Sequence, residues 1–164
     1  MEVMGEIGGA GPFKPGDRFG DCTVERLLGK GGLGFVYLVR GSGGERYALK
    51  TLRVEVTATS PENKRRFAQE ANLMMTMRHR NLVRVYDAGE DAERNLCYIL
   101  MEYMPGGTLK DRIVKNGAMP VADAISIATQ IAEALAMAHS KGVIHRDVTS
   151  SIIVISAPKV TSKT

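Results

Sequence analysis

The chain has 164 residues, 44% of them hydrophobic and 24% charged, with a formal net charge of +4, a length that suits one core or two small lobes. The charge is modest and scattered, so Lys64-Arg65-Arg66 and Arg78-His79-Arg80 read as solvated helix faces and no nucleic-acid partner is expected. Cys22 and Cys97 are too few and too distant for a disulfide framework or a zinc site, no stretch has the uninterrupted apolar length of a membrane span, and the start lacks a signal-peptide pattern.

Those features together suit reduced thiols in a cytoplasmic setting, and no metal-ligating set of residues is expected. Residues 1–16 are rich in Gly and Pro without periodicity and read as a flexible leader, which we extend to residue 18. Residues 19–28 read as a first strand, with Cys22, Val24, Arg26 and Leu28 on one face and Thr23, Glu25 and Leu27 on the other. Next comes Gly29-Lys30-Gly31-Gly32-Leu33-Gly34-Phe35-Val36, a match to G-x-G-x-x-G-x-V that is weak by itself. The run Phe35-Val36-Tyr37-Leu38-Val39, the turn Gly41-Ser42-Gly43-Gly44 and the run Arg46-Tyr47-Ala48-Leu49-Lys50 predict strand, turn, strand. That order excludes a dinucleotide-binding fingerprint, which opens a helix, and the absence of Gly-Lys-Ser/Thr excludes a Walker loop. Two readings stay open on the glycines alone: a ligand-free hairpin, or a loop whose backbone N–H groups approach phosphate oxygens.

Ser60-Pro61-Glu62 predicts a helix start, and Phe67, Glu70, Ala71 and Met74 then share one face. Glu70 in that stripe either faces a buried lysine or lies at its edge in water. The helix ends near His79-Arg80-Asn81, a strand passes through Val85, residues 91–95 turn, and residues 96–101 form another strand. Thr108 is placed to cap a short helix with Leu109 and Ile113 inward, and Gly117 to stop it. A longer helix is predicted from Val121 to Ser140, with Ile125, Ala128, Ile131, Ala132 and Leu135 as its core stripe and Lys141 and Gly142 at its end.

Taken in order, Tyr47-Ala48-Leu49-Lys50, Arg66-Phe67-Ala68-Gln69-Glu70, Met101-Glu102-Tyr103-Met104-Pro105-Gly106-Gly107-Thr108-Leu109 and His145-Arg146-Asp147 resemble the motifs of protein kinases. From about Phe19 to Asp147 the chain is similar to the N-terminal part of a bacterial-type serine/threonine kinase domain. The resemblance implies an α+β fold: a small lobe over residues 19–104, with a five-stranded antiparallel sheet and one helix, then an incomplete helical large lobe over 105–164. It also implies ATP as cofactor, Mg²⁺ for the family, and a protein hydroxyl as substrate. Leu28, Gly29, Lys30, Gly31, Gly32, Leu33, Gly34, Phe35 and Val36 would form the loop over the nucleotide. Val36 and Ala48 would cover the adenine, with Val154 beneath it. Glu102 and Met104 would supply hinge hydrogen bonds and Met101 would guard the back of the pocket. Lys50, held by Glu70, would pair with the phosphates, and Asp147 would accept the substrate proton.

The resemblance weakens after Asp147. The pattern H-R-D-L-K-P-x-N would place Lys at 149, Pro at 150 and Asn at 152, where this chain has Thr149, Ser150 and Ile152. Thr149 carries no cation and Ile152 has no oxygen to offer a metal. No Asp-Phe-Gly follows, and a whole domain of this kind needs roughly 250–300 residues. The expectation is therefore a truncated kinase-family enzyme inactive alone; the alternatives are a degenerate nucleotide- or partner-binding module and a decayed remnant.

Overall fold

The computed structural model describes residues 11–31, 34–53, 69, 71–145 and 148–156. The predicted helix start at Ser60-Pro61-Glu62, and with it Phe67 and Glu70, lies outside the described residues, as do Gly32, Leu33, Arg146 and Asp147.

Six strands form one antiparallel sheet: β1 (Arg18–Phe19), β2 (Cys22–Gly31), β3 (Gly34–Arg40), β4 (Arg46–Arg53), β5 (Val85–Asp91) and β6 (Leu96–Glu102), in spatial order β1-β2-β3-β4-β6-β5. The expected five become six because Gly20, at φ 53°, turns the first strand back on itself and splits off β1. The β3–β4 turn closes through Gly41 N–H to the Glu45 carbonyl (2.8 Å), with Gly44 at φ 92°. Asn95 takes φ 49° in the β5–β6 turn, where Asp91 accepts from the Arg94 N–H (3.0 Å).

Strand alternation sorts the side chains into two layers. Phe35, Tyr37, Val39, Leu49 and Leu96 pack on one face with Cys22 and Val24. Phe13 closes this layer at 5% exposure, edge-on to Phe19 and Tyr37, with Arg94 over its ring at 5.1 Å. Phe13, within the expected flexible leader, is therefore part of the core. The face assignment of β2 also changes. Its ladder is irregular between Val24 and Arg26, so Leu27 joins Val24 in the core while Arg26 is exposed. An extra residue in one strand reverses every side chain beyond it.

Beyond the sheet, residues 71–76 are helical, with Ala71 buried. Helix α1 (Leu109–Asn116) begins at a reciprocal cap: the Asp111 N–H donates to Thr108 Oγ1 (3.1 Å) and the Thr108 N–H to Asp111 Oδ2 (3.0 Å). The Thr108 hydroxyl, which donates to Asp111 Oδ2 (2.7 Å), and then the Thr108 N–H hold the Asp111 carboxyl below its usual range. Gly117, at φ 74°, ends α1 as expected, but Ile113 is exposed, not inward. Helix α2 spans Val121–Ser140 as predicted, with Gly142 at φ 80° just beyond it. Its expected core stripe holds only in part: Ile131 and Leu135 are half-buried, but the other three are not. Ile125 is 61% exposed, Ala128 and Ala132 are exposed, and the buried residues are Ala134 and Ala138. By length and mean hydropathy (1.3 over 18 residues) α2 is long and apolar enough to cross a membrane, although polar residues interrupt it.

Candidate functional site

The second face of the sheet carries the residues singled out by the glycine pattern and by the Lys50 strand. Val36 lies opposite Gly29 on β2 and Lys50 on β4; Ala48 lies opposite Leu38 on β3 and Met101 on β6. Directly opposite side chains in such ladders stand about 4.5–5.5 Å apart at Cβ. Val36, Ala48, Lys50 and Met101 therefore form one contiguous patch over three strands. Ala48 is buried; Val36, Lys50 and Met101 are half-buried. Lys50 is thus half-buried between Val36 and Ile99, an apolar setting for its stem.

The glycines above this patch differ in their reasons for being glycine. At Gly29 and Gly31 an added Cβ would meet open space. At Gly34, with φ 155°, it would stand 1.8 Å from the Thr51 carbonyl oxygen. Gly34 is required by the close approach of its backbone to Thr51 on the paired strand β4, whereas a side chain at either of the first two glycines would meet open space. Lys30 reaches back over the Phe35 ring (5.8 Å), and Leu28 sits in a second irregularity between Leu27 and Gly29.

At the edge of the patch, the Glu102 N–H donates to the Arg84 carbonyl (2.8 Å), and the Arg84 N–H donates to Glu102 Oε2 (3.4 Å). Any hydrogen bond from the Glu102 backbone to a ligand must therefore come through its carbonyl. Met104 follows in the connection to α1 and is half-buried. The segment carrying Val154 runs beside this connection. Gly106 N–H donates to the Ile155 carbonyl (3.0 Å), Ile155 N–H to Gly107 (2.9 Å) and Leu109 N–H to Ile153 (2.8 Å), with Thr108 and Val154 bridged. A Cβ at Gly106 would come 2.2 Å from the Ile155 oxygen, so this approach needs a glycine. Val154 itself is 36% exposed. A depression of about 220 Å³ lies on the opposite face of the sheet, among Cys22, Tyr47, Tyr86 and Leu100, away from all of these residues.

A sequence family described as the protein kinase domain matches residues 22–162. The chain belongs to the protein kinase family. This kinase-family chain is 41% identical over 132 residues to a probable serine/threonine-protein kinase of Clostridium perfringens, covering 80% of the chain and 19% of the relative. It is 39% identical to the serine/threonine-protein kinase PrkC of Bacillus subtilis (83% and 21%), and 42% identical to PknB of Mycobacterium leprae (80% and 21%). Among solved structures it resembles the PknI kinase domain of Mycobacterium tuberculosis, with a TM-score of 0.78 and 32% identity over 88% of this chain and 58% of that one. The chain spans about a fifth of the length of the curated relatives it matches.

In the loop after His145, Thr149 Oγ1 and Ser151 Oγ are hydrogen-bonded at 2.7 Å, and Ile152 is 41% exposed. Neither offers what the family pattern has at these positions. Ile152 has no donor atom, and among the described residues no group of three His, Cys, Asp or Glu is placed to hold a metal. Sequence reasoning missed Arg84 and Phe13, neither of which had a local signal; Gly106 stood in a quoted motif, as a glycine doublet after a proline, but without its contact to Ile155.

Proposed function

We propose that this chain is the nucleotide-binding half of a bacterial-type serine/threonine protein kinase, and that alone it holds ATP without transferring phosphate. The observation that supports this is the shared face of Val36, Ala48, Lys50 and Met101 beneath the open positions of Gly29 and Gly31. An apolar cleft with few polar groups suits an adenine ring, and a single cation at its rim suits the phosphates that follow it.

In this reading Val36 and Ala48 enclose the base from above and Val154 from below. The Glu102 carbonyl and the Met104 backbone orient its edge, and Met101 closes the rear. Lys50 neutralises the phosphates, with Glu70 as its orienting partner, and backbone N–H groups of residues 29–36 complete the cradle. Asp147 is assigned the substrate hydroxyl. Phosphoryl transfer depends on charge neutralisation and positioning, and Thr149 and Ile152 supply neither a cation nor a metal ligand. Magnesium would arrive only on the nucleotide's own oxygens. A cytoplasmic location, where ATP is present, goes with this assignment.

The bonded Thr149–Ser151 pair favours a second reading, a binding module in which nucleotide or a partner is held for its own sake. Both readings require adenine binding. Titration of adenosine into the chain tests this: saturable binding weakened by Ala48→Trp, which fills the cleft, is expected, and no binding would refute both.

A further inference from the structure

On the sheet face away from the nucleotide patch, the depression of about 220 Å³ has an aromatic wall and two carboxylates at its edge. Alternation along β4 turns Tyr47 away from Ala48 and Lys50. Its ring meets that of Tyr86, on β5, edge to face, with centroids 5.2 Å apart and planes at 77°. Leu100 and the buried Cys22 complete the apolar part. Two glycine turns supply the charge: Asp21 follows Gly20, at φ 53°, and Glu45 follows Gly44, at φ 92°. Both carboxylates are exposed, and neither has a hydrogen bond or ion pair among the described residues. The nearby Arg40 and Arg46 are both engaged by Glu25. Arg84, which does not line the depression, holds its guanidinium over the Tyr86 ring at 5.0 Å, so this ring already serves the molecule as a cation platform.

We infer that this depression binds a small organic cation, an alkylguanidinium or alkylammonium, whose charge rests on the Tyr47–Tyr86 pair and is balanced by Asp21 and Glu45. An aromatic ring attracts a cation through its quadrupole, and the attraction grows where the wall excludes water. Leu100 and Cys22 offer the alkyl part an apolar floor. A bare metal ion does not fit, because no three ligating side chains converge on one point among the described residues. An anion would meet two uncompensated negative charges, and a neutral ligand would gain nothing from them. The volume is below that of clefts for drug-sized ligands, which suits a cation of side-chain size. The inference is independent of nucleotide binding.

Titration of butylguanidinium chloride into the full chain at constant chloride, followed by the ring signals of Tyr47 and Tyr86 in NMR spectra, tests this. Saturable shifts of both rings are expected, with a dissociation constant on the order of 1–10 mM. The neutral 1-butanol should bind at least about tenfold more weakly, since it lacks the charge. Asp21→Asn with Glu45→Gln is expected to weaken butylguanidinium at least about fivefold at low salt. The thermal unfolding midpoint of that variant should stay in place, because both side chains are exposed and unpaired. Tyr86→Leu, read at Tyr47, should weaken binding at least about threefold by removing one ring. Shifts that do not saturate, equal binding of 1-butanol, or parent-like affinity in the Asp21→Asn, Glu45→Gln variant would each overturn the inference. That surface variant carries the test should Tyr86→Leu not fold.

Discussion

Val36 and Lys50 are direct partners across the β3–β4 ladder, on the face that also carries Ala48 and Met101. One strand pairing thus brings an apolar residue and a cation together, with Gly29 opposite Val36 on the neighbouring strand. Placing them side by side requires that β3 and β4 keep their register from Gly34↔Leu52 to Arg40↔Arg46, which they do without a break. The register depends on Gly34, whose backbone lies too close to Thr51 to admit a side chain.

Gly34→Ala is therefore expected to destabilise the chain by at least about 1–3 kcal/mol, since it combines a disfavoured φ with a steric clash. Gly31→Ala is expected to stay within about 0.5 kcal/mol of the parent, because its Cβ enters open space. Urea unfolding of both variants checks the contrast.

Phe13→Ala should cost about 3–5 kcal/mol by emptying the aromatic cluster with Phe19 and Tyr37. Truncation of an unpacked leader would cost nothing. Chemical denaturation followed by tyrosine fluorescence separates the two.

The contrast shows what local sequence conveys. The strand–turn–strand around Lys50, the bounds of α2 and the Thr108 cap were legible because alternation, glycine turns and capping side chains act over a few residues. Phe13 was not, because a single aromatic among glycines and prolines carries no periodicity, and its partners are distant in sequence. Leu27 was misplaced because one bulged residue inverts the alternation. The stripe Ile125, Ala128, Ile131, Ala132 and Leu135 had helical spacing, but burial depends on what packs against a helix, and the covered side takes in Ile131 and Leu135 with Ala134 and Ala138 while leaving the other three exposed. The Lys50 patch was legible through motif spacing; the room above Gly29 and the tie between Arg84 and Glu102 needed coordinates.

Tyr98 donates to Asp87 Oδ2 at 2.9 Å. Burial first, then that bond and the charges of Asp87 and Asp91, push its hydroxyl up to about 12. The folded value exceeds the unfolded one, so its stabilising contribution is complete below pH about 10 and is lost as pH rises through about 12. Ultraviolet titration should show a late-ionising fraction, to which Tyr37 and Tyr47 also contribute, that falls by one tyrosine in Tyr98→Phe; the same late fraction in the variant would refute the assignment.

No phosphoryl transfer to a generic protein substrate should exceed that of Asp147→Asn. Each missing electrostatic group costs about 2.7–4 kcal/mol at the transition state, and Thr149 and Ile152 remove two. Radiolabelled phosphate incorporation above that background would show the loop to be competent as it stands.

The central claim is a site that keeps the adenine cleft and Lys50 without a protein-held metal, and calorimetric titration of ATP and adenosine tests it most directly. Adenosine and ATP are both expected to bind the parent chain weakly, ATP at about 0.1–1 mM, roughly 4–5.5 kcal/mol, with little response to Mg²⁺. In Lys50→Ala, ATP should weaken about tenfold and adenosine less than about twofold, since only ATP offers phosphates to that ammonium. Equal losses for the two ligands, or a strong dependence on Mg²⁺, would contradict the account.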